Sequence, residues 1–396
     1  MTLIDLGDAA AAPPVAAPVN WSRLRRLMLA ALTVAGLLAT AASGPAAAHP
    51  LRATALPAGD TLALDGRTAY LTGPSEVSAY DLGTGRRRWQ VPAAAADGGV
   101  RPAGDVVLAP GPVALDAATG APLWRSSGDA RPSAASGDVL LAERDQLRLV
   151  GLRDGHERWR RAVSPVDQWT TVTEGGRPSV IVTVSALGDA TAYRYADGVV
   201  LHRERIPWNG VYRAYLATAG PYLVVVRTAS AQTVATVYRA ADLRPLWRSG
   251  ELIGSVTDCG GLICLAGVRG VTAHDAGTGQ EIWQRDDMTY VADVGDGRLL
   301  LSSAASTVLA DAATGRTVGR PFAGRPSVVT GPAGSLLLLR ETGTPAGRTT
   351  VTRLDLSTGG QAGLGTIERT AGQVCRGTPG YLLCPRGDEL SVTAIG

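Results

Sequence analysis

An all-β chain built from repeated hairpins is what this sequence predicts, on three observations: a turn motif that recurs eight times, tryptophan concentrated in one slot of that motif, and abundant glycine and proline. The clearest copies are VSAYDLGTGRRRWQV from Val77, PVALDAATGAPLWRS from Pro112, LRLVGLRDGHERWRR from Leu147 and GVTAHDAGTGQEIWQ from Gly270. Each is an alternating apolar strand, then Asp (Gly151 in the third copy), two residues, Thr or Asp, Gly, three residues and Trp. Looser copies start at Thr191, Ala235, Thr307 and Thr350. The turn slot is held by Gly85, Gly120, Gly155, Gly198, Leu243, Gly279, Gly315 and Gly359, at steps of 35, 35, 43, 45, 36, 36 and 44 residues. Five of the eight Trp, namely Trp89, Trp124, Trp159, Trp247 and Trp283, stand four residues after it.

The motif is a piece of structural chemistry. Asp and Thr side chains accept backbone N–H bonds inside a tight turn, and Gly supplies the positive φ that folds one strand back on the next. The Trp then sits on the returning strand, where its flat ring can pack against a neighbouring sheet and its N–H can find a backbone acceptor. A second strand pair precedes each hairpin, as in GDVVLAPG from Gly104, GDVLLAERDQ from Gly137 and GGLICLAGV from Gly260. Four strands in 35 to 45 residues is the period of a β-propeller blade. The tail from about Glu368 supplies three more strands, and 51–56 can supply the fourth, so that the two ends of the chain share one blade and leave no exposed edge. We therefore expect a propeller of four-stranded blades over 60–396, most simply eight-bladed, with seven and nine as the alternatives; an open solenoid or sandwich is the competing arrangement.

Charge and hydropathy set expectations for the N-terminus. Arg23, Arg25 and Arg26 precede a 22-residue uncharged run from Leu27 to Ala48, about the length that spans a bilayer. Basic residues before a first apolar segment hold that end in the cytoplasm. This reads as a cytoplasmic tail (1–22), a transmembrane anchor (23–45) and a linker (46–59), with the propeller outside the cytoplasm; the alternative is a signal peptide cleaved after Ala48 and a secreted product. All 38 basic residues are Arg, and beyond residue 48 they number 35 against 33 acidic residues. So near-neutral a domain carries no nucleic-acid footprint.

The four cysteines agree with export. Cys259 and Cys264, and Cys375 and Cys384, each bracket a Gly-centred turn between apolar runs, which would bring two thiols onto neighbouring strands. Two cross-strand disulfides are expected; zinc, which the spacings do not suit, and free thiols are the other readings.

The run Ala-x-Asp-x-x-Thr-Gly-x-x-x-Trp, as in Ala114–Trp124 and Ala273–Trp283, resembles the tryptophan-docking motif of pyrroloquinoline quinone (PQQ)-type propellers over about residues 51–396. It does not resemble the WD repeat. The resemblance implies an eight-bladed ring with docking Trp between blades, whether or not quinone is bound. The dehydrogenases of that superfamily carry a vicinal Cys pair, a calcium set of Glu, Asn and Asp, and a catalytic Asp. Here no two Cys are adjacent, and the Asn are Asn20 and Asn209 alone. Neither PQQ nor calcium is expected, and no catalytic residue is assigned. Other members of the superfamily, such as lipoprotein assembly factors and exported sensor propellers, bind proteins.

Other chemistry is sparse. His49, His156, His202 and His274 do not pair at metal-ligand spacing; His202 occupies a docking slot and should pack between blades, and His274 should be a polar strand tip. Gly-x-Ser-x-Gly, Walker A and His-Glu-x-x-His elements are absent. Trp169, Trp208, Tyr212 and Tyr215 cluster between the fourth and fifth units, where the steps lengthen, which makes 164–170 and 206–216 the candidate contact surface; strand packing is the plainer role for the same residues. The expected function is a membrane-anchored extracytoplasmic scaffold or ligand-recognition module that binds envelope proteins or a cell-surface ligand. The rivals are an exported quinone-dependent oxidoreductase and a secreted polymer-binding propeller.

Overall fold

The computed structural model describes residues 51–93, 99–143, 145–163, 166–229, 232–249, 253–323, 326–330, 334–342, 346–369 and 375–395. The expected cytoplasmic tail and anchor, with His49, lie outside the described residues. Among the described residues no helix is long and apolar enough to cross a membrane.

Those residues form nine four-stranded antiparallel sheets, not eight. Eight are continuous in sequence: blade 1 (61–92), blade 2 (101–125), blade 3 (129–162), blade 4 (168–205), blade 5 (214–248), blade 6 (253–285), blade 7 (290–323) and blade 8 (327–368). Blade 9 is composite: the strand Ala53–Pro57 pairs antiparallel with Glu389–Ala394, in register Ala53 opposite Thr393, and Tyr381–Arg386 and Arg376–Gly377 complete the sheet. The turn motif marks eight blades because the ninth has its chain break where the motif would stand. Its outer strand falls within the 46–59 segment read from sequence as a linker.

Each sheet is a meander, so the first strand of a blade lies at one edge and the fourth at the other. First strands converge at the centre of the ring. The Leu216 N–H of blade 5 donates to Gln168 Oε1 of blade 4 at 2.9 Å, and one central pocket is lined jointly by Leu62 to Leu64, Val328, Val329, Arg376 and Gly377 from blades 1, 8 and 9. The ring closes through nine apolar clusters, each shared by two successive sheets. The closing seam joins Leu56, Leu383, Leu390 and Val392 of blade 9 to Ala69, Leu71 and Tyr80 of blade 1. Here period-2 alternation feeds both faces of each sheet into a core, one with the preceding blade and one with the following.

The outer hairpin turns behave as the residues require. Asp275 Oδ1 accepts the Thr278 N–H and hydroxyl, both at 2.8 Å, and Asp81, Asp116, Asp311 and Asp355 do the same for their Thr. Donation by the Thr hydroxyl holds Asp116, Asp275 and Asp311 below the ordinary carboxylate range; the Ser357 hydroxyl, then Thr358, takes Asp355 down to about 2. A carboxylate whose folded pKa is depressed stabilises the fold fully above its ordinary value, and that contribution is lost as pH falls through the folded value. Acid titration should therefore show stability flat above about pH 5 and falling between about 4 and 2. Replacing Asp275 and Asp355 by Asn should flatten that fall in urea unfolding, and an unchanged acid limb would show that the turns do not contribute to it.

Both disulfides form: Cys259 with Cys264 in blade 6 and Cys375 with Cys384 in blade 9, and no described cysteine is free. The second ties the chain just before Arg376–Gly377, the shortest inner strand, to Tyr381–Arg386 in the closing blade.

Candidate contact face

The seams between blades show what positions everything else. Each docking Trp lies on the outer strand of one blade and covers the hairpin turn of the next. Trp89 Nε1–H donates to the Ala117 carbonyl at 3.0 Å, Trp124 to Leu152, Trp159 to Tyr195, Trp247 to Ala276 and Trp283 to Ala312, in every case the residue three before the turn glycine. The rings lie against Gly120, Gly155, Gly198, Gly279 and Gly315 so closely that an added Cβ would come within 2.5 to 2.7 Å of an indole carbon. Glycine is thus required twice at these positions, by a positive φ (63° at Gly155) and by the ring on top of it.

Leu243 explains itself in the same terms. It alone among the eight turn positions is not glycine, and it keeps the left-handed backbone, with φ 51°. The preceding blade carries His202, not Trp, in the docking slot. The His202 side chain is 42% exposed, with Nε2 3.8 Å from Glu204, so it does not fill the seam as its slot implies. Leu243 is fully buried instead and packs with Leu201, Trp208 and Leu216. His274 sits with its ring 5.4 Å from that of Trp247, Nδ1 3.1 Å from the Gly279 carbonyl and Nε2 3.0 Å from Thr272 Oγ1.

A meander places the connections between blades and the turns between second and third strands on one side of the ring, the connection face, and the other turns on the opposite side. Of the nine large apolar residues exposed among the described residues, six lie at the connection face. Leu187 and Val268 are in middle turns, Val211 and Tyr212 in the link between blades 4 and 5, and Tyr215 and Tyr290 at the starts of first strands; Tyr212 is 100% exposed. Val199, Val200 and Ile282 belong to the opposite side. The four residues singled out from sequence all fall at the connection face but divide in burial. Tyr212 and Tyr215 are exposed, whereas Trp208 is part-buried, with Nε1–H donating to Asp167 at 2.6 Å. Trp169 is 8% exposed, and the Arg131 guanidinium lies 3.9 Å above its ring. Sequence reasoning does not single out Arg131, since an Arg in a strand of alternating exposure looks like an ordinary solvated residue.

Among the described residues no group of three His, Cys, Asp or Glu could hold a metal ion, and the Asn209 amide donates to the Thr228 carbonyl at 2.7 Å.

Residues 109–320 match the family model described as outer membrane protein assembly factor BamB. Among solved structures, the chain is similar to BamB from Moraxella catarrhalis, at 17% identity over 77% of this chain and 96% of that one, with a TM-score of 0.43. The computationally designed Ika8 protein aligns at 12% identity over 88% and 98%, with a TM-score of 0.48. The C-terminal WD40 domain of Sif2 aligns at 11% identity over 89% and 100%, with a TM-score of 0.48. No curated protein matches the chain.

Proposed function

Since the chain belongs to the family described as outer membrane protein assembly factor BamB, a group of PQQ-type propellers, we propose that it is a protein-interaction scaffold without catalysis, held at the outer surface of a membrane by its N-terminal segment. Neither quinone nor calcium has a part in this reading. The observation that carries it is that six of the nine exposed large apolar side chains among the described residues lie on the connection face, since a solvated monomer gains nothing by gathering them there. A rigid closed ring is well suited to such binding. Its docked seams fix the spacing of the connection-face residues, so little ordering entropy is lost when a partner binds. The anchor would keep the propeller among envelope proteins, and the two disulfides suit an oxidising compartment.

Photo-crosslinking in cells tests it. A photoreactive residue at Tyr212 should yield discrete adducts with envelope proteins, and one at Ile282 on the opposite side should yield none. Tyr212→Ala should weaken capture of the same proteins with little change in melting temperature, because the ring is fully exposed. Equal adducts from both positions, or turnover of a dye-linked substrate on adding quinone and calcium, would sink the scaffold reading. A C-terminal tag that fractionates with soluble protein would remove the anchor.

A further inference from the structure

The connection face is chemically varied. Four of its six exposed apolar residues, Leu187, Val211, Tyr212 and Tyr215, lie at blades 4 and 5. At blades 2 and 3 it carries a pair of guanidiniums, Arg101 at the start of the first strand of blade 2 and Arg131 in the first strand of blade 3. One carboxylate serves both: Asp129 lies 3.4 Å from Arg101 and 3.8 Å from Arg131. Arg101 also donates to the Ala130 carbonyl. Arg131 is held over Trp169, and burial there pulls its pKa below the ordinary value against the opposing charge of Asp129, with Arg101 adding to the fall. Among the described residues, Asp129 is its sole carboxylate partner, and at a distance too long for a hydrogen bond. A planar fork of donors, its side chain 45% exposed, is thus fixed by stacking and left one negative charge short. Beside the pair opens a pocket of about 630 Å³ lined by Arg101, Pro110, Pro112, Ser126, Ser127 and Asp129. The two parts are linked by contacts. Arg131 stacks on Trp169, the preceding Gln168 accepts from Leu216, and Asp167 accepts from Trp208, which stands in the same link as Val211 and Tyr212.

We propose that Arg101 and Arg131 form a receptor for a carboxylate on a partner polypeptide, an acidic side chain or chain end, whose neighbouring apolar side chains lie along Tyr215, Val211 and Tyr212. Arginine's planar fork suits a carboxylate bidentately, and stacking on Trp169 leaves its N–H edges free to do so. This rests on the docking reading above and names the partner's chemistry: an extended acidic and aliphatic segment.

The test uses the full chain and fluorescein-labelled peptides of alternating Glu and Leu, Gln and Leu, or Lys and Leu, followed by anisotropy. The Glu peptide should bind at least tenfold more tightly than the Gln peptide, and the Lys peptide should not bind. Arg131→Gln and Arg101→Gln should each cost the Glu peptide about tenfold and leave the Gln peptide unchanged. Arg131→Lys should recover only part, because the charge remains while the fork is lost, and the melting curve of each variant separates lost binding from lost fold. Equal affinity for Glu and Gln peptides would overturn the carboxylate receptor. If Tyr212→Ala still abolished binding in that case, the docking face would survive. Tight binding of oligogalacturonate that depends on Arg131 but not on Tyr212 would overturn the polypeptide assignment.

Discussion

Trp159→Ala is expected to destabilise the propeller by about 3–5 kcal/mol, the cost of emptying a large aromatic site that cannot collapse. The ring is 7% exposed, packs within the seam between blades 3 and 4 with Leu140 of its own blade and Ile181 and Tyr193 of the next, and covers Gly198, while its N–H satisfies the Tyr195 carbonyl at 3.0 Å. Trp159→Phe keeps most of the apolar contact and loses the hydrogen bond, so it should cost about 1 kcal/mol. Urea unfolding followed by circular dichroism reads both. A change below about 1 kcal/mol for the alanine variant would mean that the indole does not hold the seam.

Gly155→Ala should cost about 2–4 kcal/mol for a methyl group, through two separable effects. The left-handed backbone at φ 63° accounts for about 1–2 kcal/mol, and the Cβ would sit 2.5 Å from Trp124 Cγ, which forces the ring out of its place. In a Trp124→Ala background the ring is gone and only the residue's own Cβ remains close, at 2.9 Å, so the same substitution should cost about 1–2 kcal/mol, mostly the backbone's share, and the cycle should show a coupling of about 1–2 kcal/mol. Strict additivity would refute ring-over-turn packing. The converse already exists in the chain: where the docking slot holds His202, the turn tolerates Leu243.

That pairing shows where the residues are legible and where they are not. The turn chemistry is local, carried by Asp, Thr and Gly within five residues, so the eight hairpins and the docking slot stand out on inspection. The cysteine pairs are equally local, across one hairpin each. A blade count taken from the motif comes out one short because the ninth blade interrupts it: its outer strand and its other three come from opposite ends of the chain. The expected seam role of His202 fails because slot position alone does not say which side of the seam supplies the volume; Leu243 does. At the contact face, clustered aromatics point to 206–216, but burial separates Trp169 from Tyr212, and periodicity cannot see that both strand faces of a blade can be interior.

The residue pattern alone determined the unit, its turn and its docking indole, since these depend on contacts within a hairpin and on a period. Only the folded ring decided that nine units close, that most exposed apolar side chains among the described residues lie on the connection face, and that Arg131 comes to rest on Trp169, 38 residues later in the chain. The physical reason is that closure and juxtaposition are set by the angle each seam imposes between sheets, summed around the circle, and no local segment carries that sum.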